Sequence, residues 1–145
     1  IRSVIGKHEV PIYVGKAVPS GARKGGMGLD HATGTSLNKR LKDHAKSIAA
    51  VENLRLEDFT CRYLVVDDIW IPLGEALMIS KFSPIWNKLI DGFGNHDTGK
   101  ERYTGLRPRW DTIHPGRTWA LKCRERPESR EQIIREILDH LKARR

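Results

Sequence analysis

Five side chains able to do chemistry follow one another along the chain: Tyr13 at the end of a β-branched run, Arg40 and His44 four residues apart, Glu75, and Asn87 directly after Trp86. Arginine offers a planar, permanently charged fork to oxyanions. Histidine exchanges a proton near neutral pH, and a carboxylate is a hard oxygen ligand. Taken singly, each has an ordinary structural explanation. A strand tyrosine is usually core, a helical arginine is usually solvated, a glutamate near a helix start is favoured there by the macrodipole, and an asparagine is a common helix C-cap. Their order is what sets them apart.

The elements that must hold them follow from periodicity. Pro11-Ile12-Tyr13-Val14-Gly15 predicts a strand that ends at a tight turn. Residues 16–36 hold five glycines and no hydrophobic period, which predicts a loop, basic at its start. Ser36 suits the N-cap of a helix running to about Ala50, with Leu37, Leu41, Ala45 and Ile48 at helical spacing. Arg40 and His44 then fall one turn apart on the border of that stripe, while Lys39, Lys42 and Lys46 face solvent. Thr60 to Asp67 predicts a second, buried strand carrying Tyr63, Leu64, Val65 and Val66. Pro72 opens a helix to about Phe82 with Leu73, Leu77 and Met78 on its inward face. The stretch from Gly92 to Trp119 has no period and reads as a long loop, functional or disordered. A last helix begins at Ser129, whose spacing to Gln132 is that of a capping box, and its Ile133, Ile134, Ile137, Leu138 and Leu141 form an apolar stripe.

Composition narrows the function class. The 145 residues suit one domain spanning 1–145, and 26 Lys and Arg against 18 Asp and Glu give a formal charge of +8. Such an excess attracts a polyanion, most often nucleic acid, although solubility alone would also account for it. The two cysteines, Cys61 and Cys123, form no CxxC and lie at no zinc-finger spacing from a histidine, which argues against a disulfide framework or structural zinc and fits a reducing cytoplasm. No apolar run approaches the roughly 20 residues of a membrane span, and no signal peptide is visible. His31, His96 and His114 lack helical ligand spacing and read as loop or DNA-contact residues.

The ordered set, together with IYVGKAVP, Arg-x-x-x-His, the Phe82 to Asn87 motif FSPIWN, GFGNHDTGK and the later WDTIHPGR, resembles the GIY-YIG nuclease superfamily, and within it the Type II restriction endonuclease branch. The likeness runs from residue 11 to about 120. It implies an α/β (α+β) fold, a small antiparallel sheet flanked by helices with long basic DNA-binding loops. It further implies hydrolysis of phosphodiester bonds in both strands of a short palindromic, GC-containing duplex site with one divalent metal, Mg2+ or Mn2+. A homodimer in a bacterial cytoplasm is expected.

By the same resemblance, Glu75 ligates the metal, Arg40 meets the non-bridging phosphate oxygens, and His44 relays or accepts a proton. Tyr13 positions water or phosphate, and Asn87 bonds near the phosphate or holds the catalytic shell. Lys16, Arg23, Lys24, Lys100, Arg102, Arg107, Arg109 and Arg117 are the expected DNA contacts, since arginine reads guanine bidentately and lysine neutralises phosphate. Residues 1–10 contain no tyrosine, so the first, GIY-bearing strand is expected upstream of Ile1 and the general base is unassigned. Two other readings compete: a GIY-YIG nicking enzyme of repair or homing type, and a non-catalytic basic nucleic-acid-binding module.

Overall fold

The computed structural model describes residues 10–19 and 35–143, and helices dominate them. In chain order these are α1 (Ser36–Ala49), α2 (Ile71–Phe82), α3 (Ile85–Lys88), α4 (Lys100–Tyr103), α5 (Arg109–Ile113) and α6 (Arg130–Ala143), with 3-10 turns at Leu56–Asp58, Asp68–Trp70 and Ala120–Lys122. Local sequence explains their limits. Pro72 sits in the first turn of α2, where a backbone N–H has no helical partner to lose. The same helix ends at Ser83 in the left-handed region, followed by Pro84, which cannot continue it. Ahead of α6 the capping box forms in both directions: Ser129 N–H donates to Gln132 Oε1 at 2.7 Å, and Gln132 N–H donates to Ser129 Oγ at 3.2 Å.

The expected α/β fold with an antiparallel sheet is not what the structure shows. Among the described residues there is no β-strand, and the one β pairing is an isolated parallel bridge between Leu106 and Arg124. A strand persists only where a neighbour takes up its backbone groups, which makes β-propensity dependent on context. In the Tyr13 run that place is filled by a side chain. The Asn87 amide donates to Val14 O at 2.7 Å and its oxygen accepts from Val14 N–H at 2.7 Å, while Trp86 N–H donates to Ile12 O at 3.0 Å. The Thr60 to Asp67 run meets no strand partner among the described residues and lies in solvent, with Leu64 71% and Val65 77% exposed. Leu73 and Leu77, expected on an inward face of α2, are likewise exposed. A run of apolar residues signals burial only if another layer covers it, and none of the described elements covers these.

The stretch without periodicity adds its aromatics to the core formed by the inward faces of α1 and α6. Trp110 is fully buried and packs with Phe93, Trp86, Ile90 and Ile113 against Ile133 and Ile137 of α6 and Ile48 and Val51 at the end of α1. Ring centroids lie 4.6 Å apart for Trp86 and Phe93, 5.3 Å for Phe93 and Trp110, and 5.6 Å for Trp86 and Trp110. Each such ring buries a large apolar area, so a few scattered aromatics do the work of a long aliphatic stripe.

Arg117 is buried in the same region. It donates to both oxygens of Asp111, from Nε at 2.7 Å and Nη2 at 2.5 Å, and to the carbonyls of Gly92, Phe93 and Asn95 at 2.9, 3.2 and 2.9 Å. Its guanidinium also lies 4.5 Å from the Trp110 ring centre and 4.8 Å from that of Trp119. An arginine expected at DNA thus has its donors engaged inside the protein. His114, expected in a loop, is buried too, its Nδ1 3.0 Å from Asn53 Oδ1.

Magnitudes decide which ion pairs matter for stability. An exposed pair such as Lys142 with Asp139 contributes at most about 1 kcal/mol. Removing one partner of a buried pair leaves the other charge stranded and costs about 3–5 kcal/mol. Arg117→Ala is therefore expected to lower the unfolding free energy by about 3–5 kcal/mol in urea titration, and Lys142→Ala by less than about 1 kcal/mol. Equal, small losses in the two variants would show that the buried pair does not hold the fold.

Candidate active site

Three of the ordered residues meet around one loop. Helix α1 carries Arg40 and His44 one turn apart, and the run ending at Gly15 brings Tyr13 against them. Arg40 Nη2 donates to Tyr13 Oη at 3.3 Å and its Nη1 donates to the Gly94 carbonyl at 3.3 Å. The Arg40 Nε is buried with no partner among the described residues. His44 stacks on Phe93 with centroids 4.7 Å apart and planes inclined by 16°. Tyr13 meets both rings edge-on, at 5.2 Å from His44 and 4.9 Å from Phe93.

This wall of rings sets the charge state of the histidine. Burial, chiefly, and the neighbouring Arg40 cation together lower the His44 pKa from 6.5 to about 4, against the opposing pull of Asp43. The imidazole is consequently neutral at pH 7 and able to accept a proton. The Tyr13 hydroxyl accepts from Arg40, which leaves its own proton free to donate.

The remaining two members reach the site through the backbone that carries Tyr13. Asn87 holds Val14 with both ends of its amide, and Lys16 pairs with Glu75 on α2 at 2.7 Å. All five ordered residues therefore belong to or touch the four residues from Tyr13 to Lys16. Glu75 is half-buried, and the Lys16 ammonium neutralises it. Among the described residues no group of three or more His, Cys, Asp or Glu gathers in one place.

The expected DNA contacts are placed differently from one another. Lys16 pairs with Glu75, and Lys100 is exposed. Arg102 lies over the Trp119 ring at 5.5 Å, Arg107 Nε donates to Ala120 O at 3.2 Å, and Arg109 pairs with Glu136 of α6. Arg23 and Lys24 lie outside the described residues, as does His31. Two participants had no assigned role in the sequence, Phe93 and Gly94. Their only signal was the stretch GFGNHDTGK, whose likeness to the restriction branch was visible without any indication of what its residues touch.

With the geometry in view, a comparison with protein families decides the assignment. Residues 3–141 match the family described as the Eco29kI GIY-YIG domain. The chain belongs to this family. It is a GIY-YIG nuclease domain of the restriction type, and its business is with DNA. No curated protein matches the chain. Among the described residues of this GIY-YIG domain, no helix is long and apolar enough to cross a membrane.

The histidines give the fold a pH dependence of known sign. His44 and His114 both fall from 6.5 to about 4, chiefly through burial. Their pKa is depressed in the folded state, so between pH 6.5 and about 4 the unfolded chain binds more protons. Their contribution is fully present above pH 6.5 and is lost as pH falls through that window. The melting temperature should drop on acidification from pH 7 to pH 4, and by less in His44→Gln. Identical pH dependence in wild type and His44→Gln would contradict the buried, neutral assignment.

Proposed function

We propose that this domain hydrolyses phosphodiester bonds in both strands of a short palindromic site in double-stranded DNA, as a homodimer, with one Mg2+ or Mn2+ held by Glu75. The observation that supports this reading best is the convergence of Tyr13, Arg40, His44, Glu75 and Asn87 on the four residues from Tyr13 to Lys16.

The residues divide the work by chemistry. Arg40 presents guanidinium N–H groups to the non-bridging oxygens of a phosphate, where negative charge grows as the reaction proceeds. Tyr13 donates its free proton toward the same phosphate or an approaching water. Neutral His44 accepts or relays a proton. Asn87 holds the Val14 backbone next to Tyr13 in place, as a neighbouring strand would. A single half-buried carboxylate suits magnesium, which keeps most of its waters and takes one or two protein carboxylates. The chemistry such an ion supplies is charge stabilisation at the oxygen leaving phosphorus.

Of the expected contacts, Lys16, Lys100 and Arg102 are the described cations proposed to approach the duplex, and an arginine there favours sites that contain guanine. Each chain offers one catalytic set, so cutting both strands requires two chains, and a two-fold dimer presents the sets to opposite strands. The exposed apolar surface of Leu64, Val65, Ile69, Trp70, Leu73 and Leu77 is the kind of face such an association covers.

Glu75→Ala and Arg40→Lys should each slow cleavage in Mg2+ on the order of 100–1,000-fold while retaining DNA binding, the second because an ammonium lacks the planar fork. Near-normal cutting by Glu75→Ala would remove it from the mechanism, and near-normal cutting by Arg40→Lys would leave only its charge as relevant. Light scattering of the DNA complex, with both cut strands mapped, checks the dimer. One chain bound to an asymmetric site and leaving only nicks would contradict it.

A further inference from the structure

Gly94 has no backbone reason to be glycine. The described glycines with left-handed φ are Gly92, Gly99 and Gly116, and Gly94 is not among them. Nor does scaffold press on it. A Cβ at Gly92 would strike Pro108 and one at Gly116 would strike the Ala50 and Val51 backbone. A Cβ at Gly94 would instead lie 2.7 Å from Tyr13 Oη and 2.8 Å from Arg40 Nη2, the far ends of two side chains in the active site. These contacts are shorter than real Cβ atoms tolerate, so both ends would have to move. The carbonyl of the same residue accepts from Arg40 Nη1 at 3.3 Å. The loop itself cannot easily yield, because Arg117 holds the carbonyls of Gly92, Phe93 and Asn95 on either side.

We propose that Gly94 is a positioning residue of the active site: its missing side chain leaves the gap in which the Tyr13 hydroxyl and the Arg40 fork meet, and its carbonyl fixes the fork. The proposal rests on the nuclease reading above, since it assigns Gly94 a part in setting the groups that face the phosphate. Long side chains swing away at little cost to stability, whereas catalysis is sensitive to their placement. A methyl group at this position therefore separates the two properties.

The test is Gly94→Ala in the full chain. Melting temperature and binding to high-molecular-weight genomic duplex DNA should match wild type, while single-turnover cutting in Mg2+ falls about 100-fold, the usual penalty for a misplacement near 1 Å. In an Arg40→Ala background the same change should add little further loss, because the two act as one unit. Gly74→Ala, where a Cβ meets nothing within 4 Å, serves as the control and should cut normally. A readout independent of cutting comes from the tyrosine ring signals in NMR. Tyr13 should shift in Gly94→Ala, while Tyr63 and Tyr103 stay in place.

Wild-type cutting by Gly94→Ala with an unmoved Tyr13 signal would overturn the proposal. So would a loss of cutting matched by a fall in melting temperature, which would make Gly94 a scaffold residue. If wild type cuts no duplex while the Tyr13 signal still shifts, the contact stands and the nuclease reading fails.

Discussion

A guanidinium placed almost wholly out of water must find a partner for its charge and for its N–H groups, and Arg117 finds both inside the protein. Asp111 neutralises it, three carbonyls of the Gly92 to Asn95 loop saturate it, and two tryptophan rings lie against it. Burial pushes the Asp111 carboxyl up, against the pull of its bonds to Arg117. An ion pair of this kind adds little net stability over a well-packed apolar pair, yet it is intolerant of losing either member. What it does here is specify geometry. The loop it grips presents Phe93 to the aromatic core on one side and Gly94 to Tyr13 and Arg40 on the other.

Core and candidate site are consequently continuous. Phe93 packs against Trp86 and Trp110 and also stacks on His44, so the hydrophobic cluster that stabilises the domain is the wall that desolvates the histidine. Burial is the largest influence on His44 and the Arg40 charge acts in the same direction, while Asp43 opposes them. The resulting neutral imidazole beside a fixed cation is a consequence of packing. Polar members of the site are held more locally: Asn87 by two bonds to Val14, and Glu75 by the Lys16 ammonium.

The charge excess deserves the same structural accounting. A net +8 suggests many cations available to a polyanion, but Arg117 is interior, Arg109 pairs with Glu136, and Arg107 donates to a carbonyl. Salt sensitivity of DNA binding depends on phosphates neutralised and not on formal charge. The long basic segment is thus partly scaffold, and its folding around Trp110 is what fixes where the remaining cations sit.

Much of this was legible in the residues themselves. The extent of α1 follows from spacing, although Thr35 and not the expected Ser36 takes its N-cap position and makes no side-chain cap bond. Pro72 and Pro84 frame α2, and the Ser129 capping box opens α6, local signals that need no tertiary partner. The ordered set of Tyr13, Arg40, His44, Glu75 and Asn87 was legible as a resemblance, and the family match bears out the membership it pointed to. Three things were not. The Thr60 to Asp67 run has strand composition but no ladder among the described residues, because β pairing depends on a partner that local composition does not contain. The Gly92 to Trp119 stretch lacks any period yet supplies Trp110, Asp111, His114 and Arg117 to the interior, since α4 and α5 are only four and five residues long and helices that short show no repeat. And Gly94 is defined by what would collide with it, from positions 54 and 81 residues away in the chain. Sequence determined which residues are present and how the helices begin and end. Tertiary structure alone decided which of them share a space, because contact between distant residues depends on the whole path of the chain between them.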